Sequence, residues 1–210
     1  MSTHSAIIPV WGSGLQYRDF VYVDDITRAL LLAPEGANQG VIQISSSEGT
    51  NIRSVARAVM AMASKALERD VMPCFDSDGL EGDRGRIAVI DRAHSILGWT
   101  PQVDIAQGLV ETFVDISFRL HRFLGNVSSI DSDLGDFGYV DPHLLKWLHE
   151  VSMSYANQEN IQELKNELLT HARRGPYHGA EKKAVSAAPC RRLGTNVSIL
   201  WIEAHHMIPY

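Results

Sequence analysis

The 210-residue chain is 45% hydrophobic and 21% charged, values that fit a globular core and exclude a disordered or fibrous chain. Nineteen Lys and Arg against 25 Asp and Glu give a formal charge of −6 and a pI near 5.8, so no broad basic field exists for nucleic acid or an anionic membrane surface. No run approaches the roughly 18 uninterrupted apolar residues of a spanning helix. The opening Met1-Ser2-Thr3-His4-Ser5 lacks the features of a secretory leader, and the distant Cys74 and Cys190 frame no disulfide scaffold; a cytoplasmic compartment is the expectation.

In chain order, Ile7 to Val10 and Phe20 to Val23 read as strands around a Gly12-Ser13-Gly14 turn. Asp24-Asp25 precedes Ile26, Ala29, Leu30 and Ala33 at helical spacing, which predicts a helix from about residue 25 that stops before Pro34, with Asp25 as its cap. Val41 to Ile44 reads as a buried strand. Thr50-Asn51 then caps a helix with Ile52, Val55, Ala56, Val59, Met60 and Ala63 on one face. Val71 to Phe75 is a third strand candidate, Asp76 to Arg86 an acidic Gly-rich loop, and Arg86 to Ile90 a strand-like run. Asp91 opens a short helix ending at Gly98, and Asp104 caps a longer amphipathic one reaching about His121. Ser128 to Asp136 is a polar connector; Pro142 to Glu150 and Gln158 to Ala172 are helical patterns; residues 173–210 show no sustained period and are expected to be poorly ordered.

Three stretches carry a family resemblance. Gly12-Ser13-Gly14-Leu15-Gln16-Tyr17-Arg18-Asp19-Phe20-Val21-Tyr22-Val23-Asp24-Asp25 resembles the start of the substrate-binding half of the NAD-dependent epimerase/dehydratase family, the extended short-chain dehydrogenases that act on nucleotide sugars. Ile44 to Ile52 is similar to that family's strand, Ser/Gly turn and following helix start, and Asp91 to Pro101, with Leu97-Gly98-Trp99-Thr100-Pro101, resembles its short helix ending in Leu-Gly-Trp-x-Pro. Val103 to Phe113 follows as the terminal helix, so the resemblance runs over about residues 8–118. Within the family, Trp11-Gly12 and Gly82-Asp83-Arg84-Gly85-Arg86 are most similar to the GDP-mannose 3,5-epimerase branch. The implied fold class is α/β, a partial extended short-chain dehydrogenase substrate-binding half of short strands and helices over residues 1–125. A helical extension over 126–172 and the tail over 173–210 follow it.

The resemblance implies NAD as the cofactor of the whole family and a nucleotide-diphosphate sugar as partner, with no nucleic acid and no membrane. It implies that Arg18 grips the diphosphate, since a guanidinium is a permanently charged planar fork suited to bidentate contacts; the alternative for Arg18 is a surface ion pair with Asp19 or Asp24, worth little. The second diphosphate arginine is Arg86 or Arg84, and the choice stays open. Gln16 either orients a phosphate or ribose or satisfies the turn backbone. Gln43 and Ser45 depart from the Asn and Gly usual in the family, which weakens the case for nucleotide contacts from that loop.

The family's Gly-rich fingerprint and catalytic Tyr-x-x-x-Lys are both missing: Tyr17, Tyr22, Tyr139, Tyr155 and Tyr177 are followed four residues on by Val21, Ile26, His143, Glu159 and Glu181. Gly79, Gly82 and Gly85 spell a literal Gly-x-x-Gly-x-x-Gly, yet a loop precedes it and a strand-like run follows, the wrong setting for aiming helix amides at pyrophosphate. Asp131, Asp133 and Asp136 fail the calcium-loop pattern, and His143, His149 and His205-His206 have no metal-ligand spacing. No catalytic, cofactor-binding or metal residue is therefore assigned. The expectation is the diphosphate-binding C-terminal part of an epimerase/dehydratase, incomplete and inactive alone. The rivals are a non-catalytic scaffold that presents the helices at 142–172 and a truncated gene model.

Overall fold

The computed structural model describes residues 5–36, 40–76, 82–127 and 141–174. The expectations for the connector at 128–136, the acidic triplet Asp131, Asp133 and Asp136, Gly79, Cys190 and the tail from 175 lie outside the described residues.

The fold is mixed α/β with short strands. β1 (Ala6–Trp11) pairs in parallel with β4 (Val71–Asp76), and β2 (Tyr17–Asp19) pairs antiparallel with β3 (Gly49–Asn51). The helices are α1 (Val23–Leu32), α2 (Ile52–Ala66), α3 (Asp91–Leu97), α4 (Ile105–Val127), α5 (Pro142–Tyr155) and α6 (Gln158–Arg174). Among the described residues no helix is long and apolar enough to cross a membrane.

Most starts and stops follow local chemistry. Asn51 Oδ1 accepts from the Ser54 amide to cap α2, Asp104 Oδ1 from the Gln107 amide at the start of α4, and Asp141 Oδ1 from the His143 amide beside Pro142 at the first position of α5. Gly98 closes α3 in the left-handed conformation at φ 61°. Two expected caps are wrong. Thr50 lies within β3 and leaves the capping to its neighbour. Asp25 sits in the first turn of a helix that begins at Val23, two residues earlier than the spacing suggested, and its carboxylate turns away to other partners.

Three segments expected as strands or strand-like are not strands. Residues 41–44 form irregular chain: Ile42 and Ile44 alternate inward against the smaller apolar cluster, but no neighbouring strand is present among the described residues to complete a ladder. After the Gly12-Ser13-Gly14 turn the strand is Tyr17–Asp19 rather than Phe20 to Val23, because Val23 already belongs to α1, and it pairs with β3 rather than with β1. Arg86 to Ile90 is likewise irregular; Tyr17 forms an isolated bridge with the preceding Gly85, and the Ala88 amide donates to Asp19 of β2 at 3.0 Å.

Two apolar clusters hold these elements. The larger joins Ala58, Met62 and Ala66 of α2, Val110 and Val114 of α4, Trp147, Leu148 and Val151 of α5, and Leu164, Leu168 and Ala172 of α6. The hairpin α5–α6 thus shares one core with the α/β part. The smaller cluster packs Ala29 of α1 on Ala93, Leu97 and Trp99. Trp99 is fully buried, a core anchor whose indole N–H donates to the Asp25 carbonyl at 2.9 Å.

Candidate functional site

The segment with the densest chemistry, residues 12–25, begins in a turn that packing dictates. Gly14 has φ +73°, and a Cβ there would lie 2.6 Å from the Phe75 ring. Arg53, in the first turn of α2, lays its guanidinium 4.7 Å from that ring centroid and donates through Nη2 to the Ser13 carbonyl at 2.6 Å. The Gly12-Ser13-Gly14 turn is therefore a clamp between β1, β4 and α2, with nothing in its setting that suits a dinucleotide.

Beyond the turn, β2 sends alternate side chains to opposite faces. Asp19 accepts from the hydroxyls of Ser45 and Ser46 (2.6 Å for Ser46), from the Ser46 amide at 3.0 Å and from the Ala88 amide at 3.0 Å. Partial burial alone would raise this carboxyl; the four hydrogen bonds outweigh it and hold the group below the ordinary aspartate range. Ser45, which departs from the family pattern, is thereby accounted for by the fold: it is buried and tied to Asp19.

Arg18 forms no ion pair with Asp19 or Asp24 among the described contacts. Its Nη1 donates to the Tyr17 carbonyl at 2.8 Å and to the Asp83 carbonyl at 3.0 Å. Arg86 pairs with the carboxylate of the same Asp83 while remaining 86% exposed. Arg84 is exposed on the same loop, and its carbonyl accepts from the Tyr17 amide at 2.8 Å, which pins the loop to β2. Residues far apart in sequence, Arg18 and Arg84-Gly85-Arg86, thus meet around Asp83. Gln16 contributes an unpartnered acceptor: its Oε1 is buried with no hydrogen-bond partner among the described residues, although its backbone carbonyl takes the Ile52 amide. A separate cleft of about 130 Å³ lies between Phe20, Val21 and Tyr22 and the first turns of α4, and no arginine lines it.

Two further charged residues serve the architecture: Asp25, read from the sequence as a helix cap, and Arg53, which the sequence did not single out. Asp25, only 2% exposed, accepts from the Gln102 and Val103 amides at 2.9 and 3.0 Å and from Arg28, which also donates to the Thr100 carbonyl at 2.8 Å. Burial pushes the Asp25 carboxyl up, but these bonds prevail and hold it low. Arg53 gave no local signal, since its partners lie in other elements.

A family model for the NAD dependent epimerase/dehydratase family matches residues 2–45, the stretch that contains Gln16, Arg18 and Asp19. GDP-mannose 3,5-epimerase of Arabidopsis thaliana is 27% identical over 113 residues, 54% of this chain and 29% of that protein. UDP-glucose 4-epimerase of Mycolicibacterium smegmatis is 32% identical over 106 residues, 49% of this chain and 32% of that protein. Among solved structures, UDP-glucose 4-epimerase of Thermotoga maritima with UDP-glucose is 32% identical, with a TM-score of 0.41 over 49% of this chain and 32% of that one. UDP-glucuronic acid 4-epimerase of Bacillus cereus with UDP-glucuronic acid and NAD is 28% identical, with a TM-score of 0.39 over 48% and 32%. The chain spans about a third of the length of these relatives, and it is a partial relative of NAD-dependent nucleotide-sugar epimerases and dehydratases.

The family uses NAD, and the described residues do not fit it. Gly12-Ser13-Gly14 leads from β1 into β2 rather than into a helix N-terminus, and Gly82 and Gly85 sit in an exposed loop followed by irregular chain. Neither turn aims a helix's free amides at a pyrophosphate.

Proposed function

We propose that this chain supplies the diphosphate-binding portion of a nucleotide-sugar epimerase or dehydratase, with Arg18 as the main anchor and Arg86 as the second. The observation that carries the reading is the meeting of Arg18 and Arg86 on Asp83, within and beside a segment similar to the family. Arg18 spends one nitrogen on two neutral carbonyls and leaves the rest of its donor fork for an anion. A diphosphate would exchange those bonds for charge-assisted, bidentate ones, which are about twice as strong as neutral ones. Arg86 is released easily, because an ion pair this exposed is worth only about 0–1 kcal/mol. Arg84, on the same loop, is the alternate second anchor.

Gln16 then has a role that its unpartnered Oε1 supports: accepting from a ribose hydroxyl or a base N–H as the diphosphate settles. The likeness of Trp11-Gly12 and Gly82 to Arg86 to the GDP-mannose 3,5-epimerase branch favours a guanosine nucleotide as the first ligand to try. No redox step is assigned to this chain; NAD supplies hydride transfer in the family, and the residues that hold NAD there have no counterpart among those described. The test is calorimetric titration of the chain with GDP-mannose, UDP-glucose and NAD. Binding of either nucleotide sugar without NAD, weakened by Arg18→Ala and partly restored by Arg18→Lys, supports the reading. Stoichiometric NAD binding, or nucleotide-sugar binding indifferent to Arg18, overturns it.

A further inference from the structure

Histidine spacing along the sequence suggests no metal ligands, yet the fold brings together two histidines from different helices. His121 of α4 and His149 of α5 face each other with ring centroids 6.2 Å apart and planes inclined at 49°. With a metal–nitrogen bond of about 2.0–2.1 Å and roughly 1.2 Å from an imidazole centroid to its ring nitrogen, two rings on one ion have centroids at most about 6.5 Å apart. The observed separation lies inside that limit. A tetrahedral angle at the ion asks for about 5.3 Å, a change of under about 1 Å that side-chain torsions supply.

The backbones carrying these rings are fixed by the same interface. Phe113 packs on Trp147, Phe118 stacks on Tyr155 with centroids 4.2 Å apart, and the Trp147 indole donates to Ser117 Oγ at 3.3 Å. The neighbouring cations are drawn elsewhere: Lys146 pairs with Glu68, and Arg122 lies over the Phe118 ring. His149 is exposed and His121 half-buried, so an ion can reach both from solvent.

The geometry points to a two-histidine site for a divalent d-block cation of the zinc class, clasping α4 to α5. Imidazole nitrogens select such ions over magnesium and calcium, which want oxygen ligands. Among the described residues no group of three His, Cys, Asp or Glu converges, so water completes the coordination. The site lies in the helical cluster, apart from the arginines around Asp83.

The test is Zn²⁺ titration by calorimetry and thermal melting of the full chain, carrying His205→Ala and His206→Ala to remove the adjacent pair in the tail. The expected result is a Tm that rises with Zn²⁺ and not with Mg²⁺ or Ca²⁺. His121→Ala and His149→Ala should each weaken Zn²⁺ binding at least tenfold, and the double variant should lose no more than either single one, because the two rings act as a unit. His143→Ala, on the same helix as His149, should leave Zn²⁺ affinity unchanged. Melting without metal checks that each variant is folded, and His149→Gln serves if His149→Ala is not. Zn²⁺ affinity unchanged in the double variant, or losses that simply add, overturns the site.

Discussion

The helical cluster and the arginine loop are opposite kinds of surface. In the cluster, α2, α4, α5 and α6 bury Met62, Val114, Val151 and Leu168 completely, and the ion pairs around it, such as Lys165–Glu111 at 2.7 Å, decorate a core that apolar burial already stabilises. Around Asp83, residues 82–87 are all exposed, and the loop is held to β2 by one backbone hydrogen bond, a bridge and the Arg18 contact. The difference separates what keeps the chain folded from what is free to meet a ligand: charge presented on a thinly tethered loop can be rearranged at small cost, whereas a side chain in the cluster cannot.

The largest effects should therefore come from the clusters. Trp99→Ala removes a fully buried indole and its bond to the Asp25 carbonyl, and should cost about 3–5 kcal/mol in urea unfolding; Leu168→Ala, in the cluster shared by α2, α4, α5 and α6, should cost about 2–5 kcal/mol. If Leu168→Ala unfolds only α5 and α6 and leaves the α2 transition in place, the shared core is not cooperative.

Next comes Asp25→Asn, expected to cost about 1–3 kcal/mol, since an amide cannot accept from Gln102, Val103 and Arg28 as the carboxylate does. The same residue shapes the acid limb. Asp19 and Asp25 are both held below the ordinary value of 3.8, so the stability they lend is complete above that value and is lost as pH falls below it, through their folded-state values. Asp25→Asn should flatten the decline of Tm with acidification in that window; an unchanged slope would show that Asp25 does not contribute. Smallest of all, Arg86→Ala should move stability by less than about 0.5 kcal/mol, as its pair with Asp83 is a surface one.

The parts of this fold legible in the sequence are those decided within a turn of helix. Asp104 is read as a cap because its partner lies three residues away, the Thr50-Asn51 pair is placed to within one residue, with Asn51 rather than Thr50 as the cap, and Gly98 is read because a left-handed stop follows an apolar period. Asp25 looks the same locally and is not a cap: Asp24 and Asp25 both fall inside the first turn, and the backbone amides that donate to Asp25 are 77 and 78 residues on. The alternation at 41–44 is genuine in burial, but a strand also needs a neighbour, which no local pattern supplies. The candidate site divides likewise. Arg18 stands out from its motif, whereas its meeting with Arg86, the unpartnered Gln16 acceptor and the facing of His121 and His149 are products of tertiary contact.

The most direct test of the separation between fold and site is Arg18→Ala, assayed for affinity and stability together. In the chain joined to a family-type NAD-binding half, nucleotide-sugar binding should weaken by about 1.5–3 kcal/mol, the range for hydrogen bonds to charged groups. Urea unfolding of the same variant should change by less than about 1 kcal/mol, as expected for a residue whose bonds reach only two carbonyls at the surface. Unchanged affinity with a sharp loss of stability would make Arg18 a strut of the loop and contradict the assignment.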